Sequence, residues 1–145
     1  MKAVLDHGAV ARCAEMVGMA HRAFEMSVQY AKERVQFGRP IGSFQAIKHK
    51  CADMVVQVDG SRYITYRAAW HLAQGEPAEM EVAMAKTWVS DACRRVVKEA
   101  HQIHGGIGYT ADYDLQLYFR RAKAAEVAFG DAHVHRERVA VALDL

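Results

Sequence analysis

The sequence has little of the residues that break helices or cross-link a chain. It has two prolines, Pro40 and Pro77, so proline can interrupt a helix at only two places. Its three cysteines, Cys13, Cys51 and Cys93, lie far apart, form no Cys-x-x-Cys pair and are odd in number. This pattern is typical of small core residues in a reducing compartment and not of a disulfide framework.

Long apolar runs and clusters of like charge are also missing. Residues 1–7 include no apolar stretch long enough for a signal peptide or a membrane span. No run of five or six Lys or Arg occurs, and the formal net charge is +2. We therefore expect a cytoplasmic protein that binds neither nucleic acid nor a membrane.

The sequence lacks the sets of ligands that a metal centre needs. A di-iron bundle needs Glu-x-x-His on facing helices, and no glutamate here has a histidine three residues later. His133 and His135 would point to opposite sides of a helix, whereas His101 and His104 could share a face but have no carboxylate or cysteine to complete a set. No metal site is expected.

Helical spacing of apolar residues is what the sequence does contain. The composition, 52% hydrophobic and 25% charged, is ordinary for a globular protein. Glycines at residues 38–42 and 105–108, with Gly75 and Gly130, divide the chain into five segments. Apolar residues recur at steps of three and four, and no alternating β-branched stretch indicates a sheet.

The pattern predicts one all-α domain over residues 1–145. Helices this long joined by short turns pack antiparallel, so we expect an up-and-down, four-helix-type bundle made from five helical segments. The first helix is predicted from about Val4 to Arg34, and breaks are predicted at residues 38–43, 75–77, 105–112 and near Gly130.

The first motif, Arg34-Val-Gln-Phe-Gly-Arg-Pro-Ile-Gly-Ser-Phe-Gln45, leaves one helix and enters the next. As a turn it needs its glycines and proline, with Ser43 as the predicted cap of the second helix. A turn does not explain Arg34, Phe37 and Gln45 together. A planar guanidinium can clamp a pyrophosphate, and a side-chain amide can meet a donor or an acceptor.

Two further motifs follow. Gln102-Ile-His-Gly-Gly-Ile-Gly-Tyr109 could be a helix C-cap, but one glycine is enough for a cap, and three indicate that something approaches the backbone closely. The stretch from Tyr118 to Phe129 is a cationic helix that ends at a Gly-Asp break. Taken alone it is a solvated helix face, with Asp131 as the next N-cap.

In order and spacing, the three motifs resemble the C-terminal helical domain of the flavin-dependent acyl-CoA dehydrogenases. They read Arg-x-x-Phe-Gly-x-Pro-Ile-x-x-x-Gln, then Gln-x-x-Gly-Gly-x-Gly-Tyr, then Arg-x-Ala-Lys before a glycine break. The resemblance covers about residues 6–140. It implies a helical bundle with dimer and tetramer interfaces and FAD shared between subunits.

The resemblance also implies three groups of FAD contacts. The FAD of one active site would contact Arg34, Phe37 and Gln45. FAD from a neighbouring subunit would meet Gln102 and the backbone of Ile103, His104, Gly105 and Gly106. A further loop near FAD would hold Asp131, Ala132 and His133.

The family's reaction oxidises an acyl-CoA to its 2,3-enoyl-CoA, with a glutamate that removes the α-proton. In the family that the sequence resembles, this glutamate comes directly before the glycine of the final loop, a position that Phe129 occupies in this chain. In some members it lies instead on the first helix, at a position near Gly8. Neither residue can accept a proton, so no catalytic residue is assigned. Glu126 and Asp131 are the weak candidates for a relocated base.

Two functions follow. The resemblance implies that the chain is the FAD-contacting, oligomerising C-terminal part of an acyl-CoA dehydrogenase-like oxidoreductase; the alternative is a non-catalytic partner subunit or structural module that lacks the catalytic glutamate. At 145 residues it has no room for the N-terminal helical and middle β-domains that the resemblance implies, so the isolated chain is expected to be inactive. The expected partners are a second copy, in a homodimer or homotetramer, or another acyl-CoA dehydrogenase subunit in a mixed oligomer, with acyl-CoA as substrate of the complete enzyme.

Overall fold

Five helices make up most of the chain in a computed structural model that describes residues 2–145. They are α1 (Lys2–Glu33), α2 (Gln45–Gln74), α3 (Glu79–His104), α4 (Leu115–Val127) and α5 (Ala132–Ala142). A two-stranded antiparallel hairpin, β1 (Val35–Gln36) with β2 (Arg39–Pro40), and a 3-10 turn, Ile41–Ser43, connect α1 to α2. A second 3-10 turn, Gly105–Tyr109, follows α3. The predicted all-α architecture, with its four breaks, is confirmed.

Helix α3 is the centre of the bundle, because it packs against each of the other four helices. Its apolar positions Val82, Val89 and Val96 are almost fully buried, and Met16 of α1 and Leu115 of α4 are buried with them. The seven-residue spacing of the three valines is that of a helix face turned towards neighbours. None of the helices within residues 2–145 has the length and apolar character needed to cross a bilayer.

Two of the three cysteines lie in this core. Cys13 and Cys93 are buried, and burial raises the pKa of each thiol to about 12. Cys51 is half-buried, and burial raises the pKa of its thiol as well. The cysteines of α1 and α3 therefore act as small apolar side chains, as the sequence indicates.

The two predicted helix caps have different outcomes. Asp131 caps α5, because its Oδ1 accepts hydrogen bonds from the backbone N–H groups of His133 and Val134, both at 3.0 Å. The predicted cap by Ser43 is wrong. The chain makes a 3-10 turn before α2 that includes Ser43, so Phe44 becomes the N-cap and makes no side-chain bond. The Ser43 hydroxyl is buried and has no partner among the described residues.

Replacing Gly18 by alanine is expected to stabilise the protein. Gly18 lies in the exposed face of α1, and a Cβ there would meet no atom within 4 Å. Glycine inside a helix costs about 0.5–1 kcal/mol relative to alanine, so Gly18→Ala should raise the free energy of unfolding by that amount. Urea denaturation followed by circular dichroism measures it.

Gly42→Ala is the matched control. A Cβ on Gly42 would lie 2.9 Å from the backbone oxygen of Ala31, so this substitution must push the 3-10 turn away from α1. We expect it to lower the midpoint of the same urea transition. A destabilising Gly18→Ala would contradict the open surface at that position.

Candidate functional site

The hairpin between α1 and α2 exposes the first motif. Its register pairs Val35 with Pro40 and Gln36 with Arg39. Phe37 and Gly38 form the tip, with φ of 52° and 76°. A positive φ is uncommon for a phenylalanine, and Phe37 is 92% exposed.

A cation–aromatic contact supports the base of the hairpin. The Arg39 guanidinium carbon lies 4.3 Å from the centre of the Phe44 ring. The rings of Phe37 and Phe44 meet edge to face, with centroids 6.1 Å apart. The Arg39 side chain therefore packs against Phe44. Arg34 is exposed, and no carboxylate of residues 2–145 forms a recorded ion pair with it.

The glycine motif lies at the same end of the bundle. The Tyr30 ring, one helical turn before Arg34, stacks on the His104 ring with centroids 4.5 Å apart. His104 is the last residue of α3, and Gly105 follows it with φ 64° and ψ −143°, a conformation that is essentially restricted to glycine. The Tyr30–His104 stack thus brings the first two motifs together, although about 70 residues separate them in the chain.

The predicted site residues divide by exposure. Eight are exposed: Arg34, Phe37, Gln45, Gln102, Gly105, Gly106, Asp131 and His133. Three are buried: Ile103, His104 and Ala132. The side chains of Ile103 and His104 face the core, so only their backbone could approach a ligand.

The His104 imidazole has a structural role. Its Nδ1 lies 2.8 Å from the Ala100 carbonyl oxygen, which can only accept, so Nδ1 carries the hydrogen. Nε2 is buried and has no hydrogen-bond partner among the described residues. Burial lowers the pKa of His104, which keeps the ring neutral between Tyr30 and Tyr113.

The last residues of the third motif, at the glycine break, lie near the opposite end of α1. The Phe129 ring rests on Gly8, and a Cβ built on Gly8 would lie 2.4 Å from that ring. Gly8 is 25 residues before the last residue of α1, which corresponds to about 38 Å at 1.5 Å per residue. The loop at residues 129–133 therefore does not meet the first two motifs within one chain.

Neither weak candidate for a base is free. The Glu126 carboxylate is 13% exposed and pairs with Lys123 at 2.9 Å and with Arg94 at 3.4 Å. Asp131 uses its carboxylate to cap α5, and the backbone N–H groups of Val134 and His133 lower its pKa. A general base works best with a pKa near the operating pH, and the capping contacts move the pKa of Asp131 away from it. The Glu126 carboxylate is engaged by two cations.

An exposed apolar stripe, which the sequence reading did not single out, follows the outer face of α2. Val56, Tyr63, Tyr66 and Trp70 are 64%, 70%, 63% and 55% exposed. Their spacing of seven, three and four residues puts all four on one face of the helix. We call these four residues the α2 stripe. Its heptad-like spacing was visible in the sequence, but exposure could not be read there.

Comparison with known proteins gives concordant matches. The family described as acyl-CoA dehydrogenase, C-terminal domain, matches residues 1–143. Acyl-CoA dehydrogenase IpdE2 of Mycolicibacterium smegmatis is 43% identical over 125 residues, which are 86% of this chain and 39% of that protein. The chain thus spans between a third and two fifths of the length of the relatives that it matches.

Solved structures agree. Butyryl-CoA dehydrogenase from Megasphaera elsdenii superposes with a TM-score of 0.94 at 38% identity, over 97% of this chain and 37% of that one. An FAD complex of PigA superposes with a TM-score of 0.87 at 31% identity, over 92% of this chain and 35% of that one.

Proposed function

The chain belongs to the acyl-CoA dehydrogenase family, as a C-terminal domain, and we propose that it contacts FAD and joins subunits in an oxidoreductase that dehydrogenates acyl-CoA thioesters. The observation that carries this proposal is the Tyr30–His104 stack, which puts the exposed Arg34 and the exposed Gly105–Gly106 backbone at the same end of the bundle.

The residues at this end fit a flavin dinucleotide. A Cβ on Gly105 or Gly106 would meet no atom of the chain within 4 Å, so packing inside the chain does not require glycine at Gly106. A ligand that approaches the backbone does require it. Arg34 is a free, planar cation suited to a pyrophosphate, and Phe37 in the hairpin and Gln45 at the start of α2 are exposed as well.

The separation of the motifs supports FAD sharing between subunits. Arg34 and Gln102 lie at one end of the bundle, whereas residues 129–133 lie about 38 Å away along α1. The family resemblance assigns the first two groups to different flavins, but because both lie at one end of the bundle we assign them to the same flavin, and Asp131, Ala132 and His133 to the flavin of another site. A flavin bound between two chains would contact the Arg34 end of one chain and residues 129–133 of the other.

The α2 stripe is the subunit interface in this proposal. Four large apolar side chains on one exposed helix face are typical of a surface covered by another helix. We assign the covering surface to a second copy in a homodimer or homotetramer, with more than about 1,000 Å² buried at the interface.

Bound FAD would accept the β-hydrogen of the acyl chain as hydride. The α-proton needs a separate acceptor, and this chain has Phe129 and Gly8 at the two places where the family resemblance expects a carboxylate. The contact between the two residues leaves no room for a side chain on Gly8. This contact favours the alternative function, a partner subunit that supports a flavin site while another subunit supplies the base.

Replacing Arg34 by alanine is expected to lower flavin occupancy. The assay uses a chimera in which this chain replaces the matching third of the short-chain acyl-CoA dehydrogenase of Megasphaera elsdenii. A charged hydrogen bond is worth about 1.5–3 kcal/mol, so Arg34→Ala should weaken FAD binding by about 10- to 150-fold. Flavin absorbance per chain, titrated with FAD, measures the change.

Arg95→Ala is the control, because it removes another exposed arginine, from the second half of α3. It should leave flavin occupancy unchanged. Equal occupancy in the Arg34→Ala and Arg95→Ala chimeras would remove Arg34 from the proposed site.

A further inference from the structure

A lysine in the first half of α3 holds the loop between α4 and α5. Lys86 is 0% exposed, which is rare for a lysine. Its Nζ donates hydrogen bonds to the backbone oxygens of Glu126 and Gly130, both at 2.8 Å, and lies 3.2 Å from Ser90 Oγ. One side chain thus ties the end of α4 to the start of α5.

A second side chain holds the carbonyl between these two. His135 of α5 is 0% exposed, and its Nε2 lies 2.9 Å from the Phe129 oxygen. A carbonyl can only accept, so Nε2 carries the hydrogen and Nδ1 is an acceptor. Nδ1 faces Arg138 at 3.4 Å, and Arg138 in turn donates to the buried carboxylate of Asp6 at 2.8 Å.

These contacts counter a strained backbone. Phe129 has φ of 60°, which costs a non-glycine residue about 1–3 kcal/mol and persists only where the surroundings impose it. The contacts reach the backbone oxygens of Glu126, Phe129 and Gly130. None of these hydrogen bonds uses the side chain of residue 129.

We propose that Lys86 is a positioning residue that, together with His135, holds the backbone of the α4–α5 loop so that the side chain of residue 129 lies against Gly8. Lys86 on α3 and His135 on α5 then set the position of the side chain at residue 129, whichever amino acid is present there. The inference concerns the loop alone and does not rest on flavin binding.

Fluorine NMR tests the proposal on the 145-residue chain labelled with 4-fluorophenylalanine. The chain has five phenylalanines, and Phe129→Leu assigns the resonance of interest. In Lys86→Met we expect the Phe129 resonance to move to the shift of the free amino acid, because the ring leaves Gly8. The other four resonances should stay in place.

Ser90→Ala is the matched control, because it removes the third partner of Nζ and leaves both carbonyl contacts. It should not move the Phe129 resonance. Should Lys86→Met fail to fold by circular dichroism, Lys86→Gln, whose shorter side chain cannot reach both carbonyls, is expected to give the same selective shift. An unchanged Phe129 resonance in either folded variant, or equal shifts of all five resonances, would overturn the positioning role.

Discussion

Phe129→Glu is expected to raise the rate of acyl-CoA dehydrogenation by about 10²- to 10⁴-fold in the Megasphaera elsdenii chimera that carries this chain. The α-proton of a thioester is too weakly acidic to leave at neutral pH without a positioned acceptor. The backbone that carries residue 129 is held by Lys86 and His135 through main-chain oxygens, so a glutamate there should lie where the phenylalanine lies now. An acyl-CoA-dependent dye-reduction assay measures the rate.

Phe129→Gln is the control for this experiment. Glutamine has the shape of glutamate but cannot accept the proton, so its chimera should be as inactive as the parent. The opposite result is a parent chimera that turns over rapidly and loses activity on Glu126→Gln or Asp131→Asn. That result would identify a relocated base and contradict the structural roles that both carboxylates have here.

The helices were predictable because their apolar spacing repeats over many turns. The first helix was predicted at about residues 4–34 and extends over Lys2–Glu33. Gly75, with φ of 72°, ends α2 at the predicted break, because glycine adopts this left-handed conformation without strain. The local sequence is therefore enough to predict where these helices begin and end.

Ser43 shows where local chemistry fails. A serine shortly before a helix is normally its cap, but here the chain makes a 3-10 turn first, and the turn packs against the backbone of α1. The position of Ser43 therefore depends on tertiary contacts. The short hairpin before it was read only as a turn, because two residues per strand leave no periodic pattern.

The sequence was enough to predict which residues belong to the candidate site, but not how they are arranged in space. The Gly8–Phe129 contact joins positions 121 residues apart, and no spacing in the chain indicates it. Lys86 was missed because lysine is typical of surfaces, and only the structure shows three acceptors around its buried ammonium group.

Tyr66→Glu is expected to prevent assembly through the α2 stripe. In the proposed interface this side chain is covered by a second copy, so the substitution would bury an unpaired carboxylate. An uncompensated buried charge costs about 3–5 kcal/mol, which corresponds to a dissociation constant raised by more than about 100-fold. Light scattering at micromolar concentration should then give the mass of a monomer, where the parent chain gives a dimer or tetramer.

The monomer of Tyr66→Glu should keep its fold, because the tyrosine is 63% exposed in the single chain and adds little to the core. Circular dichroism should therefore show unchanged helix content. Val141→Glu provides the control, since Val141 is 72% exposed on α5 and is not part of the α2 stripe, and a charge there should leave the oligomer intact. If Tyr66→Glu retains the parent's mass, the second copy does not cover the α2 stripe, and the interface must lie on another face of the bundle.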